Sequence, residues 1–81
     1  MTMRLYVIRI DAPGLLEGRG WGYLELALGE HPPSRVVRDA AGATRVLGTD
    51  DAVRYLATRG EQTLRSWWPG ARLTPEPADL H

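Results

Sequence analysis

Residues 48–70, GTDDAVRYLATRGEQTLRSWWPG, contain the clearest helical signal of the chain. Thr49 or Asp50 can accept from the orphan N–H groups of a first turn, and the Asp50 and Asp51 carboxylates suit the positive end of a helix dipole. Ala52, Val53, Leu56 and Ala57 recur at helical spacing, with Arg54 and Thr58 turned away. Leu64, Trp67 and Trp68 extend that stripe across Gly60 until Pro69-Gly70 stops it. The spacing predicts one helix over Thr49–Trp68, with Val53, Leu56 and Leu64 buried.

The segments before it favour strands. Met3–Ile10 (MRLYVIRI) alternates Leu5, Val7 and Arg9 with Tyr6, Ile8 and Ile10. Both faces are largely apolar, as in a strand covered on two sides. Tyr23–Leu28 (YLELAL) fits a short helix by propensity, but its alternating leucines and its length favour a strand. Ser34–Asp39 and Ala43–Leu47 flank Asp39-Ala40-Ala41-Gly42, a turn signal that predicts a hairpin with Val36 facing Val46. Ala71–Thr74 has room for a short edge strand, and Pro75–His81 is polar enough to fray. The expected architecture is α+β in a single domain, residues 1–81: an antiparallel sheet of four to five strands, ββββα, with the helix laid on one face.

Composition restricts the chemistry. All ten basic side chains are arginine, balanced by ten carboxylates, and cysteine, lysine, phenylalanine and asparagine are absent. G+C-rich coding DNA yields that bias without any functional selection. Zero net charge argues against a binder that gains affinity by neutralising phosphates over its whole surface. No apolar run is long enough to serve as a signal-peptide core or a membrane span, so a cytoplasmic protein is expected.

Chemistry-bearing groups are few. His31 sits in Gly29-Glu30-His31-Pro32-Pro33 without the further ligands a metal needs, and reads as a solvated loop residue. Asp50-Asp51 is explained by helix capping. Gly18-Arg19-Gly20-Trp21-Gly22 matches no phosphate-loop pattern, because no lysine or suitably spaced helix start follows. No catalytic residue, cofactor or metal is expected.

Trp67-Trp68 is the most specific interaction signal. Adjacent helical residues project about 100° apart, so the two rings cannot fill one narrow stripe equally. One exposed indole beside Arg65 and Arg72, with Trp21 on the glycine-rich loop, has the composition of an interface hot spot. The expected function is a small non-enzymatic accessory, adaptor or inhibitor protein that binds another protein or a second copy. The alternative is a single-stranded nucleic-acid binder, with Tyr6, Tyr23 or Trp21 stacking on bases beside Arg35, Arg38 and Arg45.

Overall fold

The computed structural model describes residues 2–81. Its element order is β1 (Arg4–Asp11), a helical turn α1 (Leu15–Gly18), β2 (Trp21–Leu26), β3 (Ser34–Val37), β4 (Val46–Gly48), helix α2 (Asp50–Leu64) and β5 (Arg72–Pro77). Short 3-10 turns lie at Ala40–Gly42 and Ala78–Leu80. The fold is the expected α+β arrangement, an antiparallel sheet with one main helix packed against it, and its fifth strand follows the helix.

β1 organises the sheet. β5 pairs with it from Tyr6↔Pro77 to Asp11↔Arg72. Its other edge is shared end to end by β2, at Arg9↔Tyr23 to Asp11↔Trp21, and β4, at Arg4↔Gly48 to Tyr6↔Val46. β3 lies outside β2. As its sequence implies, β1 is buried on both faces. Ile10 joins Leu24, Leu64 and Ala71 on the helix side, and Val7 joins Tyr23, Ala40, Ala43 and Ala78 on the far side.

The predicted hairpin does not form. Val36 stands opposite Leu24, and Val46 stands opposite Tyr6. Ala40 and Ala43 are buried against the far face of the sheet, so the intervening turn crosses over it instead of reversing in solvent. Thr44 then meets the inner edge of β2, its N–H donating to the Leu24 carbonyl and its hydroxyl accepting from the Leu26 N–H. A type I turn signal fixes local geometry but not whether its flanks pair with each other.

α2 begins as its sequence indicates, the Thr49 hydroxyl accepting from the Ala52 N–H at 3.2 Å. It ends at Leu64, short of Trp68, where the Ser66 and Trp67 N–H groups donate to the carbonyls three residues back, those of Thr63 and Leu64, and tighten the last turn. Val53, Ala57 and Leu64 face the core, but Leu56 is 57 % exposed. The helix packs mainly on β5, with β4 and β1, and leaves the β2 side of the sheet uncovered.

The glycine-rich segment has a packing role. A Cβ on Gly22 would lie 2.6 Å from Val36 Cγ1 and 2.9 Å from Leu16 Cδ1. Only glycine admits Leu16 onto the sheet there. Leu16 and Glu17 adopt left-handed backbone angles within α1, and the packing of Leu16 on the core offsets that strain.

β5 is longer than the short strand expected over 71–74, and it takes up part of the segment 75–81 that was expected to fray. Pro75 and Ala78 are buried, and the Asp79 carboxylate pairs with Arg4. The outer edge of β5 offers no free donor: the Leu73 N–H donates to Glu61 Oε1 at 2.9 Å, and Pro75 and Pro77, at the same outward-facing register, have none. The strand is thereby closed to further pairing.

The burial pattern predicts that Leu64→Ala lowers unfolding free energy by about 2–5 kcal/mol, while Leu56→Ala changes it by no more than about 0.5 kcal/mol. Urea denaturation of both variants measures the difference, and equal losses would refute this helix register.

Candidate functional site

The structure disperses the five residues singled out as a hot spot. Trp68 packs against the cluster around Ile10, Leu64 and Ala71, whereas Trp67 is 39 % exposed. One ring therefore serves the core and the other faces solvent, as their adjacent positions imply. Arg65 stays at the helix end, its Nε donating to the Ala71 carbonyl and its Nη2 to Glu61. Trp21 and Arg72 both stand opposite Asp11, in one row across the far face.

That far face is tightly cross-linked. The Arg9 guanidinium donates twice to Asp11, at 3.1 Å each. Trp21 lies edge-on to Tyr23, with the Arg19 guanidinium carbon 3.4 Å and that of Arg9 4.5 Å from its ring centroid. The Tyr23 hydroxyl donates to Glu76 Oε1 at 3.3 Å, and the His81 ring nitrogen meets the same oxygen at 2.8 Å. Burial, then the Glu76 charge and the bond to it, raise the Tyr23 phenol above its ordinary pKa. This cluster holds the C-terminal turn against the sheet.

Of the three aromatic residues expected to stack on bases, Trp21 is half-buried and the two tyrosines are enclosed. Tyr6 and Tyr23 are buried, and Tyr6 donates its hydroxyl to Asp50. Arg35 pairs with Glu25 and Glu30, and Arg38 lies 3.9 Å from Glu17. Arg45 is exposed and has no ion pair among the described residues. His31 is exposed in its loop. Asp50 accepts from Arg54 at 2.8 Å, which holds its carboxyl below the usual range. No group of three metal-ligating side chains exists among the described residues.

A different feature emerges where α2 leaves the sheet uncovered. A cleft of about 320 Å³ opens between the helix and the β2–β3 end. Ile8, Leu24, Val46 and Leu73 line it from the sheet, and Val53, Ala57, Gly60 and Leu64 from the helix. Leu26, Leu28 and Leu56, all exposed, form its rim, and Ser34 and Thr63 supply hydroxyls. None of the lining side chains titrates. The alternation of Leu24, Leu26 and Leu28 was a visible signal for this face. A buried Leu56 would close this side of the helix, and its exposure leaves the face open. A second exposed apolar pair, Leu5 and Leu47, lies directly opposed across β1 and β4.

Comparison with family models, curated proteins and solved structures found no match to this chain.

Two outcomes follow from this geometry. Trp68→Ala should destabilise the fold by about 3 kcal/mol and Trp67→Ala by no more than about 0.5 kcal/mol, read by thermal and urea unfolding. The raised Tyr23 phenol stabilises the fold below its unfolded-state pKa near 10, and this contribution is lost as pH rises through the folded value. Tyr23→Phe should therefore flatten the decline in stability above pH of about 10, checked by urea unfolding at several alkaline pH values.

Proposed function

We propose that this chain is a small non-enzymatic protein-binding module that docks a partner on the leucine rim of the cleft between α2 and the β2–β3 end of the sheet. One observation carries this reading: Leu26, Leu28 and Leu56 are exposed together around an apolar cleft. Contiguous exposed apolar surface bordering a concavity is characteristic of association sites, whereas scattered single leucines are ordinary. Leu28 is 88 % exposed, so docking would remove most of its surface from water. Covering a leucine that completely contributes about 1.5–3 kcal/mol.

The chemistry of the cleft favours binding over catalysis. A lining without an acid, base or charged group has nothing to move a proton or stabilise a developing charge. The arginines support the same preference for an apolar partner surface over a phosphate backbone, because six of the ten lie within ion-pair distance of carboxylates. Trp67 stands away from the cleft lining and serves as an internal control.

The test uses the immobilised chain to capture proteins from its host extract, with Leu28→Glu and Trp67→Ala as parallel baits. A charge at Leu28 should leave thermal unfolding nearly unchanged and weaken retention of the partner at least about tenfold. Trp67→Ala should retain it. Equal capture by Leu28→Glu, or capture of nucleic acid released by moderate salt, would overturn the proposal.

A further inference from the structure

We infer that the cleft beneath the leucine rim is itself a binding site for a linear, uncharged aliphatic molecule carrying one oxygen function, such as a medium-chain alcohol. Its volume of about 320 Å³ lies at the lower end of the range of small-molecule sites, which combine an apolar lining with a few polar groups.

Shape selects a chain over a compact ring. The helical lining runs from Val53 to Leu64, eleven positions apart and so about 16 Å along the axis. The cleft is therefore a trough beneath one side of α2, and an extended hydrocarbon follows it. Charge selects a neutral ligand, since no lining side chain can pair with an ion and burying an unpaired charge is costly. Arg59, a cation on the adjacent helix surface, donates to the Tyr55 hydroxyl and is not among the lining residues.

Ser34 supplies the polar selection. The residue is only 4 % exposed and lines the cleft, and its hydroxyl takes part in none of the hydrogen bonds found among the described residues. No side-chain nitrogen or oxygen among those residues is both sealed from solvent and unbonded. An unbonded Ser34 Oγ therefore keeps some access to solvent, and the cleft is the open space that this residue lines. Such a hydroxyl bonds water in the open cleft, and a ligand oxygen that displaces the water takes over that one hydrogen bond. Thr63, the other lining hydroxyl, already donates to the Arg59 carbonyl.

The site goes beyond the docking surface proposed above, and it is measured on the isolated chain, so its failure leaves that reading standing. The experiment titrates the ¹⁵N-labelled protein with 1-octanol and follows its amide resonances. Saturable shifts are expected at Leu24, Ser34, Val53, Ala57 and Gly60. Ser34→Ala should weaken binding about three- to tenfold, the equivalent of one neutral hydrogen bond, while keeping a native amide spectrum. Ser34→Cys keeps the shape with a weaker donor, and reads the same bond should the alanine variant disturb the fold. Octanoate should bind at least about tenfold more weakly than 1-octanol. The inference is overturned by an absence of saturable shifts up to the solubility of the alcohol, by unchanged affinity in both Ser34 variants, or by octanoate binding as tightly.

Discussion

β1 is paired along both edges and covered on both faces, and every other element is positioned by that double burial. Val7 and Ile10 are fully buried three residues apart, which places them on opposite sides of the sheet. A chain of 81 residues has too little interior for one thick core, so it builds two thin ones on a shared strand. The helix contributes Leu64 to one layer, together with Ala12, Leu15 and Ala71 from the adjoining turns. The other is assembled from small residues in turns, Ala40, Ala43 and Ala78, whose close approach to Val7 and Tyr23 requires short side chains.

This division explains why a cleft exists. One fifteen-residue helix cannot roof five strands, and α2 is drawn to the β5 side by specific contacts. Glu61 accepts from the Leu73 backbone, and Gly60 allows Leu73 Cδ1 to come within 3.3 Å of the position its own Cβ would occupy. Each contact tilts coverage away from β2 and β3. The leucines that would face a second helix in a larger domain are left around an open trough. The same contacts close the β5 edge, so a partner approaching along that side finds prolines and a satisfied N–H where a further strand would pair.

Much of this architecture was legible in the sequence, and its failures have identifiable physical causes. The two apolar faces of Met3–Ile10 marked a central strand, and Thr49 with its following aspartates marked the helix start, because periodicity and capping are local properties. Pairing is not local. The turn at Asp39–Gly42 read as a hairpin, yet two buried alanines carry the chain across the sheet instead. Leu56 has helical spacing relative to Val53 and Leu64, but its exposure depends on which strands lie beneath the helix, and that is a property of the whole topology. The hot-spot residues illustrate the same limit. Their composition suited an interface, while their dispersal over the helix end and the far face was invisible before the strands were ordered. Ser34, the lining hydroxyl without a protein partner, carried no sequence signal at all.

The arginines show how geometry changes the meaning of composition. A guanidinium-rich chain invites a phosphate-binding reading, but Arg4, Arg9, Arg35, Arg38, Arg54 and Arg65 each lie within ion-pair distance of a carboxylate, and Arg19 lies over the Trp21 ring. Most of these pairs are exposed, so each contributes little to stability, of the order of 0–1 kcal/mol. Their larger consequence is electrostatic, because a paired cation projects a much weaker field than a free one. Arg19, Arg45, Arg59 and Arg72 have no ion pair among the described residues, and they lie before β2, on β4's approach, on the outer side of α2 and at the start of β5. Four cations spread over these elements fall short of the continuous basic stripe that tracks a nucleic-acid backbone. With much of its charge paired internally, the chain concentrates exposed apolar surface at the trough beside α2, and that contrast supports the docking proposed there.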